Sequence, residues 1–237
     1  MADSVSPVKD KTLADRALRL LRDDILAVRL VPDERLRIAE LQKRYDLGIS
    51  PLREALLRLI SEGLVVAEGQ RGFAVASVSL EELQDLTRAR IRIESLLVTE
   101  AIAMGDAEWE AGVVAAFHRL SRATLPGDHH DEKTTMYWES CHRAFHDALV
   151  AGCGSPWLLR MHAQMVDHSK RYRRIRLFHS VPAKELVRTV NDEHELLMKA
   201  MLARDTRRAV ELVHSHLNNT ATAVSSFWKP GVEIPAL

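Results

Sequence analysis

The sequence predicts a mainly α-helical chain in two parts: a short N-terminal helical domain closed by a β-hairpin, then a C-terminal all-α antiparallel helix bundle. Three observations carry this reading. Apolar residues recur at helical spacing along most of the chain. Strand-like runs occur only at Leu64-Val65-Val66 and Phe73-Ala74-Val75. Gly and Pro are scarce, 10 and 8 in 237 residues, while Ala, Leu and Arg abound, and that balance favours helix over sheet. A chain of this length holds two modest cores.

Residues 1–11 are polar and read as a disordered tail, and residues 12–78 as the first domain. Leu13, Ala17, Leu20, Leu21, Ile25 and Val28 form one helical stripe, which Val31-Pro32-Asp33 ends. A second helix fits Ile38–Tyr45, with Ile38, Leu41 and Tyr45 inward. After a turn at Asp46–Ile49, Ser50 reads as an N-cap with Pro51 at the first helical position, where a missing N–H costs nothing. This third helix runs to about Glu62 and stops at Gly63. It turns Leu52, Ala55, Leu56 and Leu59 inward and leaves Arg53, Leu57 and Arg58 outside. The two strand-like runs flank Glu68–Gly72 as a hairpin.

Helix, helix, turn, helix, hairpin is the order of a winged helix-turn-helix; a helical domain with an incidental hairpin is the alternative. The net charge is zero, so the chain is not basic throughout as many nucleic-acid binders are. Residues 35–58 nevertheless carry Arg35, Arg37, Lys43, Arg44, Arg53 and Arg58 against Glu40, Asp46 and Glu54. That local excess is consistent with phosphate contact. The candidate DNA-binding residues are Arg35, Arg37, Ser50, Pro51, Arg53 and Arg58, with Arg71 and Gly72 on the wing. Ser50 is expected at phosphate, Arg53 at a base edge and Arg71 probing from the wing. The expected partner is a pseudo-palindromic double-stranded operator bound by a homodimer.

Residues 79–228 read as the second domain and 229–237 as a loose tail. Ser79 is an N-cap candidate before Leu80. Helices are expected at about 80–103, 107–123, 131–152, 155–179, 183–203 and 205–227. Breaks fall at Gly105, Pro126-Gly127, Gly152–Pro156 and Val181-Pro182. No apolar run approaches a membrane span, and MADSVSPVKDKT has no signal-peptide core. A cytoplasmic protein without a membrane partner is expected. Cys141 and Cys153 read as small core residues, and Lys170–Arg174 with Arg176 as a solvated helix face.

Eleven histidines are many for this length. His142 and His146 share the stripe Trp138, His142, Phe145, His146, Leu149, one turn apart. His194 lies on the stripe Val187, Val190, His194, Leu197, Met201, and His216 on Ala209, Leu212, Val213, His216, Leu217. Three helices therefore aim imidazoles into one interior, and His214 points elsewhere. Separately satisfied core histidines are one reading. The other is a divalent transition metal, zinc or nickel, on His146, His194 and His216 with His142 as fourth ligand. His118, His129, His130, His162, His168 and His179 show no consistent partner.

Arg90 and Glu94 fall one turn apart on the inward stripe of the helix at 80–103. A buried Arg needs a carboxylate. Either Glu94 alone answers it, or Arg90 also presents its fork to a ligand carboxylate, making both candidate ligand-binding residues for a small organic acid. No His-Glu-x-x-His and no nucleophile paired with a base occurs, so a non-enzyme is expected. The alternatives are a regulator for which the ion itself is the signal, and a metal-dependent enzyme with an accessory DNA-binding domain.

Several runs together resemble the GntR family of bacterial regulators, in the FadR-like branch with the helical FCD ligand domain. They are Leu30-Val31-Pro32-Asp33-Glu34-Arg35-Leu36, Pro51-Leu52-Arg53-Glu54-Ala55-Leu56, Glu62-Gly63-Leu64-Val65 and Arg71-Gly72-Phe73, then Arg90 with Glu94, Phe145-His146, Glu193-His194 and His216. Cys141–Pro156 with Arg171-Tyr172-Arg173 is most similar to the carbon-starvation regulator subgroup, which represses glutarate and 4-aminobutyrate catabolism genes. The resemblance implies a repressor responding to a small carboxylate beside a metal. Two departures stand out. Gly48-Ile49-Ser50-Pro51 replaces the Ser-Arg-Thr-Pro of many relatives, which shifts base contacts toward Arg53 and the wing. His142 stands where metal-binding relatives carry the Asp of Asp-x-x-x-His, so the ligand set here has less negative charge.

Overall fold

A computed structural model describes residues 10–69, 72–125, 132–178 and 183–227, and their side chains except those of 175–190 and 227. The chain divides into two compact units between Val78 and Ser79. It is mainly helical, with one two-stranded antiparallel hairpin among the described residues.

In the first unit, α1 (Leu13–Leu26) starts at Thr12, whose side chain accepts from the Asp15 amide. That contact satisfies one of the amides a helix start leaves open. Helix α2 spans Ile38–Tyr45 and α3 Ile49–Ser61. Strands β1 (Val65–Ala67) and β2 (Phe73–Val75) pair with Val66 opposite Ala74. Leu21, Ile25, Leu30, Leu52, Leu56, Leu59 and Leu64 bury together between α1, α3 and the hairpin.

Three details differ from the sequence reading. The N-cap of α3 is Gly48, not Ser50. Ser50 and Pro51 therefore sit inside the first turn, where the amide that proline lacks has no helical acceptor in any case. Helix α1 ends before Val28, which adopts a left-handed φ of 60°. Strand β1 begins one residue later than expected. The stripe also omitted Asp24, which is buried: its carboxylate accepts from Tyr45 Oη at 2.7 Å and pairs with Arg29 and Arg44, each at 2.7 Å. Hydrogen bonds to a charged group are stronger than neutral ones. Asp24→Ala is expected to cost about 1–3 kcal/mol, read as a lower denaturant midpoint with an unchanged slope.

The second unit comprises α4 (Leu80–Met104), α5 (Ala107–Arg122), α6 (Glu132–Val150), a 3₁₀ turn at Ala151–Cys153, α7 (Pro156–Phe178), α8 (Ala183–Leu202) and α9 (Thr206–Phe227). Helix α4 packs against α6, α7, α8 and α9 and forms the centre. Ser79 caps it, accepting from the Glu82 amide. Leu97, Val98, Ala101, Val113, Phe145, Leu149, Leu197, Met201 and Val213 make the core, with Cys141 and Cys153 buried and unpaired as thiols. Gly105 ends α4, and a Cβ there would collide with the Trp109 ring. The expected breaks at Pro126-Gly127 and Val181-Pro182 and the two chain ends lie outside the described residues. No described helix is long and apolar enough to cross a membrane.

One expectation fails outright. Lys170–Arg174 is not a solvated face: Arg171, Tyr172 and Arg174 are 1%, 1% and 0% exposed. The Arg174 charge and the Tyr172 hydroxyl are met inside the bundle. Arg174 Nε donates to Glu139 at 2.8 Å, Arg174 also pairs with Glu132, and Tyr172 Oη donates to Glu82 of α4.

Candidate functional site

The apolar stripes of α6, α8 and α9 turn His142, His146, His194 and His216 toward one another. All four are buried, and one potential ligand atom from each lies within 4.8 Å of the others. His146 Nε2 and His194 Nε2 are 3.3 Å apart. Two nitrogens on one tetrahedral ion at bonds of about 2.1 Å stand about 3.4 Å apart, so this pair has the spacing of co-ligands. Ring centroids are separated by 4.5 to 5.3 Å, except His142 to His216 at 6.3 Å. The Phe145 ring lies 5.6 Å from that of His146 and 5.3 Å from that of His194, and Trp138 lies 4.9 Å from His142.

Burial pushes His142 well below its ordinary pKa, reinforced by the positive field of Arg173 and the neighbouring imidazoles. His146 is lowered by burial and by the same rings. Both are therefore neutral near pH 7 and keep a lone pair, which is the form a metal binds. His216 Nδ1 lies 2.8 Å from Glu193 Oε2, and Asn219 Nδ2 donates to Glu193 Oε1 at 2.8 Å. Burial raises Glu193, but the His216 contact outweighs it and its pKa is lowered.

Beside the imidazoles, Arg90 Nε donates to Glu94 Oε1 at 2.8 Å, and Nη2 approaches the same oxygen at 2.6 Å. Both residues are buried. Burial raises the Glu94 pKa, but the Arg90 charge and His162 more than offset it and hold the carboxyl at about 2. The Arg90 charge also contributes to lowering both His142 and His146. A cavity of about 20 Å³, the size of one water, lies between Arg90, Thr87, Ser169, Tyr172, Arg173 and Thr220. Sequence reasoning missed His162 and Arg173. Buried His162 has Nε2 3.5 Å from Glu94 Oε1 and Nδ1 3.9 Å from Asp147. His162, Val166, Ser169 and Arg173 recur at helical spacing on α7, a signal that a search for apolar stripes passes over. His118 and His214 are exposed, and His129, His130 and His179 lie outside the described residues.

In the first unit, Arg35, Arg37, Arg53 and Gly72 line one shallow groove of about 270 Å³ with Leu36, Ile38 and Phe73. Arg35 bridges to Ala74, which places it against the hairpin, and Gly72 has the left-handed φ of 96° that glycine permits. Arg53 is exposed and makes no ion pair among the described residues. Arg37 pairs with Glu40 at 2.9 Å on the surface, and Ser50 is exposed in the first turn of α3. Arg58 stands outside this groove, bound to Asp15 at 2.9 Å and Glu54 at 2.7 Å. Arg71 lies outside the described residues.

Residues 13–75 match the bacterial regulatory proteins of the gntR family, and residues 85–219 match the FCD domain. The chain is 46% identical over 199 residues to the HTH-type transcriptional repressor GlaR of Escherichia coli strain K12, covering 84% of this chain and 90% of that protein. It is 36% identical over 224 residues to the HTH-type transcriptional regulator BphR of Paraburkholderia xenovorans strain LB400, covering 92% and 87%. Escherichia coli McbR/YncC shares the fold with a TM-score of 0.76 at 23% identity, over 92% of this chain and 99% of that one. A GntR regulator from Rhodococcus sp. RHA1 does so with 0.72 at 19% identity, over 91% and 99%.

Proposed function

This chain belongs to the GntR family of bacterial regulatory proteins, with an FCD domain, and from that premise we propose a repressor whose operator affinity is set by a small carboxylate bound beside a divalent transition metal. The observation that carries the effector half is the convergence of four buried imidazoles, two of them held neutral, next to a buried arginine. His146, His194 and His216 would hold the ion and His142 would complete the set; zinc and nickel both suit imidazole donors. When bound, the ion supplies a positive centre that an oxygen ligand can join. Charge balance argues for an anion there. Imidazole rings bring no negative charge to compensate a dication in a low-dielectric interior, and Arg90 adds a further positive charge that Glu94 only partly offsets. Arg90 would orient a carboxylate with the part of its fork that Glu94 does not take up, and Phe145 and Trp138 flank the imidazoles.

The DNA half is read from the groove of Arg35, Arg37, Arg53 and Gly72 in the family's DNA-binding region. The protein acts as a homodimer on a pseudo-palindrome, Ser50 meeting phosphate and Arg53 a base edge. Arg58 instead ties α3 to α1 through Asp15. Helix α4 begins at Leu80, five residues after β2 ends at Val75, so a shift of α4 on effector binding alters how the two DNA-binding units are presented. The effector changes DNA affinity only by the difference between its affinities for the two arrangements.

The test of the DNA half is Arg53→Ala. It is expected to cost about 1–3 kcal/mol on operator DNA and to relax specificity at one position, measured by fluorescence anisotropy on specific and random duplexes. Equal losses on both would reduce Arg53 to a phosphate contact.

A second reading makes the ion the signal. It is favoured by the four imidazoles, as many donors as a closed four-coordinate site takes without any other ligand. Titrating zinc or nickel into the protein–DNA complex without organic acid separates the two readings. A change of operator affinity with metal alone selects the sensor.

A further inference from the structure

We propose that Glu193 is the positioning residue of the imidazole cluster, fixing the His216 ring with its Nε2 lone pair inward and supplying the negative charge that the four rings lack. The inference rests on the metal reading above and adds to it a group outside the set of four.

The geometry comes from two adjacent helices. Helix α8 carries Glu193 immediately before His194, so one backbone step delivers both a candidate ligand and the carboxylate. Helix α9 carries His216 and, three residues on, Asn219. Glu193 Oε2 faces His216 Nδ1 at 2.8 Å and Oε1 accepts from Asn219 Nδ2 at 2.8 Å. A carboxylate only accepts, so the proton in this contact sits on His216 Nδ1, and Nε2 is the ring nitrogen left to bind an ion. Asn219 holds the other oxygen and prevents the carboxylate from turning away. A histidine that binds a metal through one nitrogen usually donates from the other to such an acceptor, which fixes the tautomer and raises its basicity.

The electrostatics call for the same group. Arg90 and Arg173 both act on His142 with positive fields, and the four imidazoles bring no negative charge of their own. An ion entering there meets like charge. Glu193 lies one ring away from the centre, near enough to share its charge through the Nδ1–H···O bond. It is also partly solvated, with 24% of its side chain exposed, so its own ionisation does not carry the full cost of burial.

The experiment uses the full chain, purified without chelator or histidine tag, stripped of metal, and titrated with zinc alone in competition with a chromophoric chelator. Glu193→Gln keeps an acceptor and removes the charge; Glu193→Ala removes both. Zinc binding is expected to weaken roughly 10-fold in the first and toward 100-fold in the second, and Glu193→Asp to recover part of the loss. A second readout needs no metal. In stripped wild type, nitrogen-15 NMR is expected to find the His216 proton on Nδ1. Either variant binding zinc within twofold of wild type, or a His216 proton on Nε2 in the stripped protein, overturns the proposal. Wild type that takes up no zinc overturns the metal reading as well. That result is distinct from failure of this proposal alone, in which wild type and variant bind equally.

Discussion

His194→Ala is expected to abolish the stabilisation that zinc or nickel gives this protein. His194 is fully buried, its Nε2 stands 3.3 Å from that of His146, and its ring lies 4.8 Å from that of His216. It is thus the α8 member of a set otherwise drawn from α6 and α9. An ion bound by the folded state alone stabilises by about 4 kcal/mol when free metal exceeds its dissociation constant 1,000-fold. For a domain of this size that is a rise in melting temperature on the order of 10 °C. Calorimetry of stripped wild type with and without metal is expected to show this gain, and His194→Ala to show none. Elemental analysis should find about one ion per wild-type chain. Folded wild type that holds no ion and gains no stability would make the four rings separately satisfied core residues.

Arg90→Ala is expected to destabilise the bundle strongly while leaving the imidazoles intact. Arg90 and Glu94 are both buried and joined at 2.6 Å. Removing the guanidinium strands a carboxylate in the interior, which costs about 3–5 kcal/mol. Glu94→Gln in the same chain should recover part of that loss, since no charge is then left behind. The pH dependence follows from the same pair. The folded carboxyl is held at about 2, below the ordinary 4.5. Its contribution is therefore fully present above pH 4.5 and is lost as pH falls through that window toward 2. In Arg90→Ala this contribution disappears, so the stability gap between wild type and variant is expected to narrow on acidification. A gap that stays constant from pH 7 to pH 3 would deny Arg90 its role as the partner of Glu94. The same variant should bind organic acids more weakly than wild type at neutral pH.

Much of the imidazole site was legible in the sequence because its members ride on apolar stripes. His142, His146, His194 and His216 interrupt runs of Leu, Val, Phe and Met at helical spacing, so the periodicity that orients the core also orients them. Arg90 and Glu94 were found the same way. The arginines of α7 were not, because a basic run is ordinarily solvated, and what buries Arg174 is Glu139 on another helix, 35 residues away. His162 was missed because its stripe contains Ser169 and Arg173, and hydropathy is silent on a polar stripe. In the first unit Ser50 satisfied the residue preference for an N-cap, but the chain turns at Gly48, whose extended conformation starts α3 two residues earlier. Asp24 escaped for a related reason: a lone acid on a helix reads as solvent-facing until Tyr45, Arg29 and Arg44 are seen around it.

One measurement reads metal, carboxylate and DNA binding together. Operator affinity is measured by anisotropy with metal-loaded protein, before and after saturation with an organic acid selected by calorimetry from a C4–C6 panel. The same pair of titrations is run on His194→Ala. Coupling between two sites typically amounts to about 1–3 kcal/mol, a change of about 5- to 150-fold. The account predicts a change in that range for loaded wild type and none for His194→Ala. It is contradicted if a bound acid leaves operator affinity within twofold of its starting value, or if His194→Ala responds to the acid as fully as wild type.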